Sequence, residues 1–375
     1  MKTAKFTFLA LCAATVAISC SKSHSVENKL EPWVNDESLQ VPVQIISRTS
    51  NMTTKAGEIS SLENVEFGVY ALGDDQKPQP VLFQDLYAEG SNCIPSHINA
   101  ENMADLTIDG IPVYYPLSST NNYTFYGFHV SDVEGSHTKV EDDGTVAINN
   151  YGLIDVLWSQ PAVATPIDDP EKGTIEGFCA KYIRSVYKLN LVEQNLPKLH
   201  FEHLTSEFIF RVKAADERAE TSFLPENGNV RITDAVIKNL PASARLNVMT
   251  GEILEETQLT DKICDIPAEG IYPVYTLDGT KISEFFISPG TAATLDNIEF
   301  SFTIKQNPVG NEDPTYKVTG AEIRSKFEAD PLFEGFKPGY RYYLTITMSS
   351  AEKIEIKVSL EPWKDGFTGD IIDID

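Results

Sequence analysis

The chain has 375 residues, 42% hydrophobic and 23% charged, a globular balance rather than a disordered one. Acidic residues outnumber basic ones by 55 to 30, and the formal charge of -25 disfavours nucleic acid and anionic membrane surfaces as partners. The length suffices for two medium domains.

Lys2 and Lys5 precede an apolar run, Phe6 to Ile18, as long as a signal-peptide core and too short to span a bilayer. The run ends in Val16-Ala17-Ile18-Ser19-Cys20, which resembles a bacterial lipobox. Cys20 would then be acylated after removal of a signal peptide, residues 1–19, and the mature chain would be membrane-anchored but otherwise soluble. An ordinary secretory signal with an incidental cysteine is the alternative. Residues 20–40 are polar and are expected to form a tether. Beyond Cys20, Cys93, Cys179 and Cys264 are too few and too far apart for a disulfide framework or a CxxC metal site.

Val41 to Ser47 (VPVQIIS) is expected to be the first strand, followed by a polar, loop-like stretch, Arg48 to Ser61. Val65 to Ala71, Ile111 to Leu117 and Tyr123 to Val130 alternate as strands, and another ends in Ile154 to Trp158. Ser159 to Gly177 is rich in Pro, Asp and Gly and reads as a long loop, which places a domain boundary there: 41–177 and 178–375. Phe178 to Leu191 fits helix or strand equally. Lys198 to Val212 is strand, break, strand, and Val230 to Leu240 is another strand. Tyr272 to Ile287 reads as a hairpin around Asp278-Gly279. Ile298 to Ile304 alternates, and Thr319 to Phe327 reads as a short helix. The clearest pattern comes last. Tyr340, Tyr342, Leu344, Ile346 and Met348 share one face of a strand, and Ile354, Ile356, Val358 and Leu360 share one face of the next, ended by Pro362. More than a dozen short strands with little helix give an all-β fold of two β-sandwiches.

Chemical sites are scarce. His200 and His203 fall on opposite faces of a strand, so they cannot share a metal. Cys93 and His97 have no third ligand nearby. Glu141-Asp142-Asp143-Gly144 and Asp168-Asp169 read as acidic turns without an EF-hand pattern. There is no phosphate loop, no G-x-S-x-G elbow and no nucleophile, histidine and acid at triad spacing. The expectation is a non-enzyme without catalytic residues, metal or cofactor.

Several motifs in order carry a family resemblance: the lipobox with its polar tether and basic site; Tyr114-Tyr115-Pro116 followed by Tyr123-Thr124-Phe125-Tyr126-Gly127-Phe128; Phe201-Glu202-His203-Leu204-Thr205-Ser206; Leu246 to Gly251 (LNVMTG); and Gly339-Tyr340-Arg341-Tyr342 running to Pro362-Trp363. Together they resemble the fimbrillin superfamily of Bacteroidetes, the subunits of lipoprotein-derived fimbriae. The resemblance implies two tandem transthyretin-like β-sandwich domains and assembly with other fimbrial subunits by strand exchange. A trypsin-like protease would remove the first strand, carrying Val41, Val43 and Ile45, by cutting after Arg48 or, failing that, Lys55. A donated segment would fill the opened groove. The tail, Gly369 to Asp375 with Ile371, Ile372 and Ile374, reaches about 20–25 Å and is a candidate donor, alone or with the preceding strand. The expected location is the outer membrane by a lipid anchor, then the fimbrium, with a host or bacterial surface ligand as a further partner. The competing function is a monomeric surface lipoprotein that binds glycans through Tyr114, Tyr115 and Tyr126.

Overall fold

The computed structural model describes residues 31–49, 65–74, 81–97, 103–117, 121–289, 292–306, 313–329, 333–350 and 353–362. Strands dominate these residues, as their aromatic and β-branched alternation predicts. Sheet I has seven strands, in the order Cys93–Ser96, Phe67–Gly73, Tyr123–His129, Leu157–Ala162, Lys198–His203, Gln44–Thr49 and Met103–Asp105. Neighbours are antiparallel except Lys198–His203 and Gln44–Thr49, which run parallel. One face packs Phe67, Val69, Phe125, Leu199 and Phe201 with Ala180, Ile183 and Val186 of helix Ala180–Lys188. The other packs Tyr70, Leu72 and Phe128 with Val146, Ile148, Ala244 and Leu246. These last four belong to sheet IV, made of Thr145–Asn149, Ser243–Asn247 and Ile253–Glu255. Cover on both faces explains why Phe67–Gly73 is buried at every position.

Sheet II runs Thr280–Ile287, Ser206–Ala214, Tyr340–Met348 and Ile354–Pro362; sheet III runs Leu259–Ile263, Arg231–Pro241, Glu299–Lys305 and Thr315–Thr319. Their inner faces share one core, in which the rings of Phe210 and Phe300 stack at 3.8 Å. Helix Gly320–Glu328 forms where the sequence places it. Thr319 caps it, in a capping box with Glu322. Its first residue must be glycine, because a Cβ there would lie 1.6 Å from the Leu295 carbonyl oxygen.

Several sequence expectations change. Ser159–Gly177 is not one long loop: it holds the end of strand Leu157–Ala162 and the hairpin Ile167–Asp169 with Gly173–Ile175. Helix Ala180–Lys188 and strand Lys198–His203, read as the start of the second unit, belong to sheet I and its core. The chain passes from sheet I to sheet II only at Leu204–Thr205. Ile111–Leu117 breaks into Ile111–Pro112 and Tyr114–Tyr115, which pair with different partners. The Asp278-Gly279 turn forms, with Gly279 at φ +70, but only its second arm is a strand. On the first arm Pro273 lacks a donor, and the Val274 carbonyl accepts from the Ala214 amide instead. The closing hairpin pairs in full register, from Tyr340 opposite Pro362 to Met348 opposite Ile354. Its first strand is buried on both faces rather than one. Glu207, fully buried, accepts a hydrogen bond from Arg341 Nε at 2.8 Å, and the Arg211 guanidinium lies 3.8 Å from the centre of the Tyr343 ring.

Candidate functional site

The N-terminal run, residues 31–49, occupies a groove in sheet I and on helix Ala180–Lys188. Pro32 starts a single helical turn, Pro32–Asn35, since a first-turn residue needs no amide partner. That turn buries Val34 to 1% exposure and sets Trp33 edge-on to Tyr187, with ring centres 4.8 Å apart. Asp36 then closes a turn by accepting from the Ser38 amide and hydroxyl. Arg184, 3% exposed, reaches this turn from the helix. It donates through Nη1 to the Asp36 carbonyl at 2.7 Å, and through Nη2 to the carbonyls of Glu37, at 3.5 Å, and Leu39. Burial pulls the Arg184 pKa down, while Glu37 and Asp36 pull it back; a guanidinium stays charged in any case. At the surface Lys172 bridges to Glu37 at 2.6 Å. The expected tether is therefore docked chain from residue 31 to residue 40.

The strand that follows is held on both sides. Val41 and Pro42 pair with Tyr115 and Tyr114. Val43 donates to the Val113 carbonyl at 2.8 Å and accepts from the Leu106 amide at 3.0 Å. Gln44 to Ile46 pair with Met103 to Asp105, and Ile46 to Thr49 run beside Lys198 to Phe201. The Tyr187 hydroxyl donates to the Gln44 side chain. Val41, Val43 and Ile45 are at most 1% exposed and form part of the sheet I core. Removing this run would expose that core and leave Lys198–His203 without a neighbour on one side.

The expected cleavage residue, Arg48, lies inside the paired strand opposite His200 rather than in a loop. Lys55, Cys20, Ile371, Ile372 and Ile374 fall outside the described residues. Arg184, Trp33 and Val34 were not singled out in the sequence. The signals present were a cation with Ala180 and Tyr187 beside it at helical spacing on one side and Lys181 and Lys188 on the other, and one apolar pair in a polar stretch.

Other singled-out residues have structural contacts. His200 is exposed, whereas His203 is buried with Nδ1 2.7 Å from Asp155. Asp143 accepts from Thr145 and pairs with Arg245. Asp169 accepts from the amides of Glu171 and Lys172 and from the Ser185 hydroxyl. Cys93, Cys179 and Cys264 are free thiols, and burial pushes the Cys93 and Cys264 thiols up. Among the described residues no group of three or more His, Cys, Asp or Glu could hold a metal. Tyr115 is 1% exposed, and Tyr114 and Tyr126 are half-buried, so the three do not share one exposed platform. The LNVMTG motif is a turn. Asn247 accepts from the Met249 and Thr250 amides, and Gly251, at φ +75, lies under the Trp158 ring, where a Cβ would sit 2.8 Å away.

The architecture is that of an all-β protein whose first strand completes a sheet from within the same chain. A family model described as fimbrillin-like matches residues 54–363, and the chain belongs to that family. Among solved structures, a candidate cell adhesion protein from Bacteroides uniformis is similar at 18% identity, over 87% of this chain and 99% of that one, with a TM-score of 0.49. A fimbrial protein from Bacteroides vulgatus is similar at 13% identity, over 86% and 99%, with a TM-score of 0.44. A candidate polysaccharide-binding protein from Bacteroides thetaiotaomicron is similar at 8% identity, over 86% and 97%, with a TM-score of 0.38. No curated protein matches the sequence.

Proposed function

We propose that the chain is a structural and adhesive subunit of a cell-surface fimbrium, not an enzyme. In this reading it is exported as a lipoprotein on Cys20, anchored in the outer membrane and assembled with other fimbrial subunits by strand exchange. Family membership supports the fimbrial role. The observation that carries the exchange mechanism is the state of Val41 to Ser47: a terminal run, hydrogen-bonded on both sides, whose apolar side chains fill the core of the sheet it completes. Its loss creates an edge and a groove that an extended segment of a second subunit can satisfy. Proteolysis after Arg48 or Lys55 supplies that loss. Cutting after Arg48 requires Arg48 and Thr49 to unpair first from His200 and Phe201. The candidate donor is the tail carrying Ile371, Ile372 and Ile374, together with Ile354–Pro362, which among the described residues stands at the edge of sheet II.

The competing reading, a monomeric glycan binder, has less support, because Tyr115 is committed to the core. Sequencing the N-terminus of protein taken from its native cell surface separates the two. A start at Thr49 or Ala56, with conversion to polymer on trypsin-like treatment, is the expected result. A start at lipidated Cys20, with mass and oligomeric state unchanged by protease, would sink the polymerising mechanism.

A further inference from the structure

The Arg184 clamp has consequences for the groove that the fate of the strand alone does not contain. Every acceptor the structure gives this guanidinium belongs to residues 36–39: the carbonyls of Asp36, Glu37 and Leu39. The residue itself is 3% exposed on a helix whose apolar positions Ala180, Tyr182, Ile183 and Val186 are buried in the sheet I core. It cannot swing out with the segment. When residues 31–47 leave, the guanidinium loses all three of these acceptors at once and is left as an unpaired cation at the end of the groove. Lys172 loses Glu37 in the same event.

An incoming extended segment cannot restore the present arrangement. Three carbonyls from 36–39 converge on one guanidinium because Asp36 and Ser38 fold that stretch into a turn. In an extended strand, successive carbonyls point to opposite sides, so at most one faces a given point. A carboxylate does restore it, since it takes two guanidinium donors in a fork with opposite charge. We propose that Arg184 is a specificity-determining residue of the groove: it latches the resident segment through turn carbonyls, and it selects as replacement an extended apolar segment of a second subunit with an acidic residue two positions before the Val41 seat. The inference rests on the strand-exchange reading above.

The test uses the full chain, nicked after Arg48 by limited trypsin digestion and confirmed by intact mass, with its N-terminal fragment still bound. Two synthetic peptides spanning residues 39–47 compete for the groove, one carrying Leu39→Asp and the other Leu39→Asn. Displacement of the native fragment is followed by size-exclusion chromatography and mass. The expected result is that the Asp peptide displaces the fragment at about 10-fold lower concentration than the Asn peptide, and that the difference vanishes in Arg184→Met. Equal displacement by the two peptides in the wild-type chain overturns the proposal, and that comparison decides it even where the variant fails to fold. A preference for Asp that persists in a folded Arg184→Met chain also overturns it. Displacement by neither peptide from a fully nicked chain overturns the strand-exchange reading itself, and the proposal with it.

Discussion

Arg184 joins residues far apart in sequence, and its removal should be felt locally first. Arg184→Met leaves three carbonyls of a surface turn to water and takes a charged donor from each. The expected cost is about 1–3 kcal/mol in urea denaturation of the intact chain, with faster amide exchange confined to residues 32–40. A second buried group gives a pH signature. His137 is fully buried; its Nε2 accepts from the Val130 amide at 3.1 Å, and its Nδ1 donates to Glu66 at 3.0 Å. Glu66 also accepts from the Gly135 amide, and the His129 ring stacks on His137 at 5.1 Å. An acceptor Nε2 fixes the ring as neutral, and burial holds its pKa down at about 4. The unfolded chain binds this proton near the ordinary histidine value, so the folded form loses stability as pH falls from about 6.5 to about 4. The contribution is full above that window. Denaturation midpoints from pH 7 to pH 4 should show this fall, at most about 1.4 kcal/mol per pH unit from this one proton, and His137→Gln should flatten it. Neither residue was legible in the sequence. Arg184 sits in a stretch whose periodicity fits helix and strand alike, and the partners of His137 depend on how loop 131–137 folds back.

Elements with a buried face on a regular period were legible: Tyr123 to Val130, Ile298 to Ile304 and the closing hairpin form strands close to their expected bounds, whereas Val41 to Ser47 forms as two strands, Val41–Pro42 and Gln44–Thr49, with different partners. Missed were elements whose pairing is set by distant chain, such as Ile111–Pro112 and Tyr114–Tyr115, where two residues carry no period. The first strand can be tested as a structural member of its sheet. Ile45→Ala should lower stability by about 2–5 kcal/mol in urea denaturation. A loss under 1 kcal/mol would mean that the segment is only loosely attached. Helix Gly320–Glu328 offers two graded changes. Thr319→Ala should cost about 1 kcal/mol through loss of the cap. Gly320→Ala must push backbone apart, because its Cβ would meet the Leu295 carbonyl at 1.6 Å. It should cost more than the cap does, and calorimetry on the two variants orders them.

For the whole molecule, an all-β fold was legible and the allocation of strands to sheets was not. Local composition marks Ser159–Gly177 as a break, yet strand Lys198–His203 returns to the first sheet because its partners, Leu157–Ala162 and Gln44–Thr49, precede it. Sheet membership is a long-range property, and no period of two encodes it. Among the described residues the chain crosses between sheets I and IV on one side and sheets II and III on the other three times: at Leu204–Thr205, at Ala242, and at Glu256–Gln258. In mechanical terms, one crossing is a hinge and three form a brace. Flexing the two halves against each other must strain three backbone runs together. In a fimbrium of such subunits, bending would then be taken up at the joints between neighbours, and each subunit would behave as a stiff link.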